Sequence, residues 1–152
     1  MIYEILSGIW ISNKNDINKE FLISKNINLI INCSKEIYTK NNFNIEEIKI
    51  PLESIIINKN IEKLNMIFYD YIFDTLNFIH THKLNKNILI YSTHNVQRPI
   101  SIIISYLIYH TKLKPLEILL FVKSKCNQIL VPKPIYLSSF EKVYEKSKIK
   151  KS

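Results

Sequence analysis

The chain is poor in cysteine and in long apolar runs, and both deficits exclude whole classes of protein. Its two cysteines, Cys33 and Cys126, cannot build a disulfide framework and fit a reducing compartment. No apolar run approaches the roughly 20 residues of a membrane-spanning helix, and the N-terminus lacks a signal-peptide pattern. We therefore predict an intracellular, cytoplasmic protein that has no membrane partner.

Repeats, linkers and disorder-prone segments are also missing. Hydrophobic residues make up 47% and charged residues 22% of the 152 residues, which is ordinary for a globular protein. We predict one domain over residues 1–146, followed by a basic tail over 147–152.

The net charge of +8 has two explanations that the sequence leaves open. A basic surface can serve nucleic acid, an anionic membrane or phosphorylated partners. Yet the chain has a single glycine and is crowded with isoleucine, asparagine and lysine, as an AT-rich coding sequence would produce. Part of the charge would then reflect nucleotide composition and not function.

Apolar periodicity predicts strands early in the chain, helices late, and a mixed middle. Strands are predicted over 3–6, 9–11, 27–33, 45–50 and 88–91. Helices are predicted after a cap at Asn13 or Asn15 (carrying Ile17, Phe21 and Leu22), over 61–80, over 100–110, from Pro115, and after Pro132 and Pro134. This order favours an α/β domain with one central sheet, in which a ligand lies beyond the carboxyl ends of the strands.

A polar loop between the strand at 88–91 and the next helix is the candidate site. Such a junction points free backbone N–H groups and the positive end of a helix dipole at one place, which suits an anion. Arg98 adds a planar fork of donors that matches a phosphate. The predicted phosphate-binding residues are Ser92, Thr93, His94, Asn95, Val96, Gln97 and Arg98.

The pattern Tyr91-Ser92-x-x-Asn95-x-x-Arg98 resembles the His-Cys-x-x-Gly-x-x-Arg signature of the dual-specificity protein tyrosine phosphatases. Further landmarks resemble the family in the same order: 5–13, 30–36, 50–54, 105–108, 116–123 and 129–133. The resemblance implies the cysteine-phosphatase fold, with a central twisted sheet of about five strands flanked by helices. The short variable loop after Glu36 and the lack of added domains point to the compact, poxviral-like type.

The resemblance also indicates what the chain has lost. The position of the nucleophilic cysteine carries Ser92, whose hydroxyl is much harder to deprotonate than a thiol. The general-acid position carries Ser54; Glu53 is one residue away and would point in the opposite direction. Further departures stand at Tyr91 (a histidine in the family), Asn95 (glycine), Pro99 (a hydroxyl residue) and Lys133 (a loop-bracing asparagine).

These losses predict a pseudophosphatase that binds phosphorylated protein (phosphotyrosine, phosphoserine or phosphothreonine) or a similar anion without hydrolysis, as a shield or scaffold. One alternative is an active or residual protein phosphatase or RNA 5′-phosphatase, with Ser92 engineered from cysteine, a Ser92–His94 pair, or Cys33 as a substitute nucleophile. Another is an interaction protein with a vestigial pocket, whose basic surface binds nucleic acid.

Arg98 can be interpreted in two ways, as a phosphate ligand or as an internal hydrogen-bond hub of the loop. We favour the ligand, because nothing acidic nearby in the sequence obviously satisfies it. No cofactor and no metal is predicted. His80 and His82 resemble a metal-ligand pair only superficially, since a helix end favours cationic histidine without any metal.

Overall fold

The computed structural model describes residues 1–36, 43–56, 58–125 and 134–149. No helix in those ranges is long and apolar enough to cross a membrane. The strands are β1 Ile2–Leu6, β2 Ile9–Asn13, β3 Leu29–Asn32, β4 Glu47–Lys49 and β5 Ile88–Ser92. The helices are α1 Lys19–Ser24, α2 Ile61–His82, α3 Gln97–Thr111, α4 Pro115–Lys125 and α5 Leu137–Lys148, with a short 3-10 helix at Lys14–Asp16.

The strands form one mixed sheet in the order β1-β2-β5-β3-β4. β1 and β2 pair antiparallel around the turn at Gly8, whose φ of +80° lies in the left-handed region that glycine tolerates best. β2, β5, β3 and β4 run parallel, so their carboxyl ends meet at one edge. The predicted α/β fold, with a five-stranded sheet flanked by helices, is confirmed within the described residues.

Alternation along the parallel strands separates two apolar cores. Ile88 and Ile90 of β5 face the larger core, which α2, α3 and α5 complete. Leu89 and Tyr91 point to the opposite face, where Leu22 of α1 joins them. Because neighbouring side chains of a strand point to opposite faces, a nearly unbroken apolar run such as Ile88–Ser92 is what a strand covered on both faces requires.

Two helices differ from their sequence-based predictions. Neither Asn13 nor Asn15 caps α1; Asn13 caps the short 3-10 helix, and Asn18 caps α1 by accepting the Phe21 amide at 2.8 Å, so Ile17 lies outside α1. Asparagine at three nearby positions offers three competing caps. α4 begins at Pro115 as predicted, but Leu116 and Leu120 face solvent there.

The C-terminal helix extends past the predicted end of the domain. α5 runs to Lys148 and so includes Ser147 and Lys148, which the sequence assigned to the basic tail. The boundary at 146 itself stays a prediction. Of the two prolines expected to open this helix, Pro132 lies outside the described residues, and the helix begins at Leu137, three residues after Pro134.

Candidate functional site

The candidate loop lies at the carboxyl edge of the sheet, between β5 and α3. β5 ends at Ser92 and α3 begins at Gln97, so four residues make the connection. β3 runs parallel beside β5, and the pairing continues beyond β3 because the Cys33 amide donates to the Tyr91 carbonyl at 2.9 Å. The segment after β3, through Glu36, therefore lies against the loop.

Three of the loop amides are taken by acceptors of the protein itself. The Thr93 amide donates to Oγ of Ser34 at 2.8 Å, the Asn95 amide to the Thr93 carbonyl at 2.9 Å, and the Gln97 amide to Oδ1 of Asn95 at 2.9 Å. These three are therefore not among the free N–H groups that the sequence predicts at this junction. The amides of His94 and Val96 have no acceptor within the described residues.

The loop places its left-handed residue at His94, whose φ is +72°. Asn95, which stands in place of the family's glycine, does not have a positive φ. Asn95 instead uses its side chain to accept the Gln97 amide, as asparagine often does in turns. The side-chain cap explains why a glycine is not needed at Asn95.

Ser92 is not arranged as a nucleophile. The residue is 0% exposed, and its hydroxyl donates to the Asn95 carbonyl at 2.7 Å. A serine needs a neighbouring base to become nucleophilic. The nearest histidine in sequence, His94, has a side chain that is 39% exposed, and its Nε2 lies 3.5 Å from Oε2 of Glu36. A Ser92–His94 nucleophile pair is therefore not formed.

Arg98 is buried, with 3% of the residue exposed, and its terminal nitrogens are fully engaged. Nη1 donates to Oε1 of Glu36 at 3.0 Å and to the Leu52 carbonyl at 2.9 Å. Nη2 donates to Oε2 of Glu36 at 3.0 Å and to the carbonyl and hydroxyl of Thr93 at 3.0 and 2.9 Å. Arg98 thus forms a bidentate ion pair with a carboxylate of its own chain.

Glu36 is held by more than this ion pair. The Thr93 hydroxyl donates to Oε2 of Glu36 in a short contact. Burial alone would raise the pKa of Glu36, but the hydrogen bonds from Arg98 and Thr93 outweigh it and lower the pKa from 4.5 to about 2. Glu36 is therefore a carboxylate at any pH near neutrality.

Glu36 and Ser34 are the site residues that the sequence prediction missed. Arg98 lies 62 residues from Glu36 along the chain, so an inspection of neighbouring residues could not pair them. A signal was available in the topology: two parallel strands side by side place the residues that follow them side by side. The residues after β3 were therefore the place to look for partners of the loop after β5.

The segment predicted to hold the general acid touches Arg98 through its backbone only. The Leu52 carbonyl accepts from Nη1, as described above. Ser54 is buried, and its Oγ accepts the Ile56 amide at 3.0 Å. Glu53, the neighbouring carboxylate, accepts from the Asn58 side chain at 3.3 Å. Within the described residues, neither side chain forms a hydrogen bond with the loop, so neither is held there as a proton donor.

Cys33 is unsuited to replace the missing nucleophile. Its Sγ lies 3.3 Å from the Tyr91 carbonyl, and the residue is fully buried. Burial raises the pKa of the Cys33 thiol to about 12, so the reactive thiolate is suppressed. Lys133, predicted in place of the loop-bracing asparagine, and Cys126 both lie outside the described residues.

The two helix-end histidines have separate partners. Nδ1 of His80 lies 3.0 Å from the Tyr106 hydroxyl, and Nδ1 of His82 lies 2.9 Å from the Phe78 carbonyl. In the part of the chain that the structure describes, no group of three or more histidine, cysteine or acidic side chains could hold a metal ion. Each histidine is accounted for by a local contact on its helix or on α3.

The model of the dual-specificity phosphatase catalytic domain matches residues 9–146. The chain belongs to this family. No curated protein sequence gives a significant match.

Solved structures share the fold at low sequence identity. Human DUSP28 superposes with a TM-score of 0.74 at 16% identity, covering 97% of this chain and 95% of that chain. A leucine-rich-repeat and phosphatase-domain protein from Entamoeba histolytica gives 0.73 at 17% identity, covering 99% and 96%. The human tyrosine phosphatase-like serine/threonine/tyrosine-interacting protein gives 0.70 at 17% identity, covering 98% of each chain. Similarity at this level establishes the common fold.

Proposed function

We propose that this protein is a pseudophosphatase, which binds phosphorylated protein through the loop at residues 92–98 without hydrolysing it. The observation that carries the proposal is a contrast within one loop. The buried guanidinium of Arg98 stays at the N-terminal end of α3, whereas the Ser92 hydroxyl is sealed from solvent and donates to the Asn95 carbonyl. The electrostatic part of a phosphate site persists while the reacting group does not.

Phosphate recognition is supported by the donors around Arg98. The N-cap residue of α3, Val96, offers no side-chain acceptor, and the only side-chain cap described there is Oδ1 of Asn95 on the Gln97 amide. The positive end of the helix dipole and the amides of His94 and Val96 therefore remain for an anion. A phosphorylated tyrosine, serine or threonine would present its phosphate oxygens to these donors and to Arg98.

Absence of turnover is supported at two positions. Attack on phosphorus needs an activated nucleophile, and Ser92 has no base beside it. A general acid that protonates the leaving oxygen of the substrate typically speeds the reaction by about 10²–10⁴-fold. At that position Ser54 has only a hydroxyl, whose oxygen accepts the Ile56 amide. The site can hold a phosphate group but has no residue arranged to transfer it.

Calorimetry with phosphotyrosine and phosphothreonine peptides tests the proposal. We expect binding that Arg98→Ala abolishes and that Lys123→Ala, which removes an exposed positive charge on α4, leaves unchanged. Circular dichroism of both variants shows whether they stay folded. If no phosphopeptide binds, or if Arg98→Ala binds as the parent does, the proposal is wrong.

The same protein is assayed for turnover of p-nitrophenyl phosphate and of a 5′-triphosphorylated RNA. Turnover that Ser92→Ala removes would identify a residual protein or RNA phosphatase and overturn the pseudophosphatase proposal. We expect none.

A second candidate is an interaction protein with a vestigial pocket, and the Arg98–Glu36 pair is the observation that favours it. In that case Arg98 serves only as an internal hub, and the basic surface carries the role. Binding of single-stranded RNA that weakens between about 50 and 200 mM salt and ignores Arg98→Ala would support this candidate.

Two finer points belong to the proposal. We propose the compact, poxviral-like type within the family, on the landmarks of the sequence and its short variable loop. We also propose an intracellular, cytoplasmic setting, which rests on the low cysteine content.

A further inference from the structure

The donor inventory of Arg98 limits how a phosphate can reach it. A guanidinium has five N–H groups. The two on Nη1 go to Glu36 and Leu52, and the two on Nη2 go to Glu36 and Thr93. Only the Nε–H is left over among the described contacts, so the terminal fork of Arg98 cannot bind a phosphate while these contacts persist.

Glu36 differs in kind from the other acceptors around the fork. Leu52 and Thr93 contribute backbone carbonyls, which are fixed by the main chain and neutral. Glu36 contributes a charged side chain that accepts from both terminal nitrogens and from the Thr93 hydroxyl. Two carboxylate oxygens on a planar fork reproduce the bidentate contact that two phosphate oxygens would make.

Resting on the proposed function, we propose that Glu36 is an intramolecular competitor, which occupies the phosphate-binding fork of Arg98 and must be displaced when a phosphorylated ligand binds. Binding is then an exchange of one anion for another. In the unliganded protein the fork of Arg98 is occupied by Glu36. The measured affinity for phosphate is then the difference between the free energies with which phosphate and Glu36 bind the fork.

The geometry makes this exchange physically accessible. The side chain of Glu36 is 21% exposed, whereas that of Arg98 is 4% exposed. A carboxylate at the edge of the site is hydrated when it moves out to water, which offsets part of the lost ion pair. The buried guanidinium then needs a new anion. Because like charges repel, Glu36 and a phosphate dianion cannot share the fork.

The opposing explanation is that Glu36 is a positioning residue, which holds the guanidinium in place while the phosphate binds elsewhere on it. The two explanations predict opposite changes in phosphate affinity when the charge of Glu36 is removed. Removing the charge of a competitor strengthens phosphate binding. Removing a positioning residue releases Arg98 and weakens phosphate binding.

The test measures the affinity of inorganic phosphate and of phosphotyrosine by calorimetry for the parent and for Glu36→Gln. We expect binding roughly tenfold to a hundredfold tighter in Glu36→Gln, the range that corresponds to a hydrogen bond to a charged group. Glu53→Gln is the matched control, because it makes the same change in net charge one residue from Leu52 without touching Arg98. It should bind as the parent does.

A second readout guards against a variant that folds poorly. Without its partner carboxylate, the buried Arg98 of Glu36→Gln is left with an uncompensated charge, so phosphate should raise its melting temperature more than it raises that of the parent. Glu36→Asp, which keeps the charge on a shorter side chain, should fall between the two in both readouts.

The outcomes separate this proposal from the proposed function. If the parent binds phosphate through Arg98 but Glu36→Gln binds equally or more weakly, Glu36 is a positioning residue and the competitor proposal is wrong. If neither the parent nor Glu36→Gln binds phosphate or phosphotyrosine, the phosphate-binding function itself is wrong.

Discussion

Ser92 decides what chemistry the loop can still perform. At the bottom of the loop, its hydroxyl is committed to the Asn95 carbonyl and shielded from solvent. A cysteine at the same place would gain the helix N-terminus as a means of lowering its pKa. Restoring the thiol therefore tests the nucleophile position separately from Ser54 and from the Glu36–Arg98 pair.

We expect Ser92→Cys to cleave p-nitrophenyl phosphate slowly and phosphotyrosine more slowly still. p-Nitrophenolate is a good leaving group and departs without a proton, whereas the tyrosine oxygen needs a general acid, and the side chains of Ser54 and Glu53 hydrogen-bond to Ile56 and Asn58 instead. Steady-state rates with the two substrates test this. Equal rates would mean that an acid is present after all, and Ser92→Ala is the blank.

Local pattern was sufficient for most elements of the fold. Short apolar runs mark β2 and β5, and the four-residue spacing of Leu64, Phe68 and Ile72 marks α2. Tyr71, which lies three residues after Phe68 on the same helix, is 41% exposed. The caps of the first helix failed because several asparagines competed for one role.

The loop was recognisable from sequence, but its electrostatics were not. Arg98 follows from the order of residues after an apolar strand. Its partner Glu36 depends on the parallel pairing of β3 with β5, which joins residues far apart in the chain. The residue pattern within one segment carries no information about such a pair. The ion pair at the site could therefore be identified only from the tertiary structure.

At the scale of packed helices, Asn65 joins α2 to the start of α5. Its Nδ2 donates to the Ile61 and Ile135 carbonyls at 2.9 and 3.0 Å. Its Oδ1 accepts the amide and hydroxyl of Ser139 at 3.1 and 2.7 Å. A buried amide with all of these contacts fixes where the last helix docks.

Asn65→Leu is expected to lower the free energy of unfolding by roughly 2–4 kcal/mol, because the Ile135 carbonyl and the Ser139 amide would be left buried without partners. Urea denaturation measures the change. Asn77→Leu, at an exposed position of the same helix, is the control and should stay within about 0.5 kcal/mol of the parent. Equal stability of parent and Asn65→Leu would mean that the α2–α5 contact relaxes around the larger side chain.

At the scale of the whole molecule, the charge of +8 makes the response to acid a test of the Glu36 pair. Protonating carboxylates raises the positive charge further and favours unfolding through self-repulsion. Glu36 adds a specific contribution to this general trend. Among the described residues, Arg98 and His94 are the charged or titratable groups that form ion-pair contacts with its carboxylate.

The pKa of Glu36 is about 2 in the folded protein, below its ordinary value of 4.5. A lowered folded-state pKa gives stability that is present above the unfolded value and is lost as the pH falls through the folded value. We therefore expect the parent to exceed Glu36→Gln in stability by a constant amount above about pH 5, and this difference to close between about pH 4.5 and 2. Urea unfolding of both proteins across this range measures it.

Glu53→Gln is the control, because it carries the same change in charge without the Arg98 pair, and it should show no such pH-dependent difference from the parent. A difference between parent and Glu36→Gln that stays constant down to pH 2 would contradict the ion pair as the source of the stability.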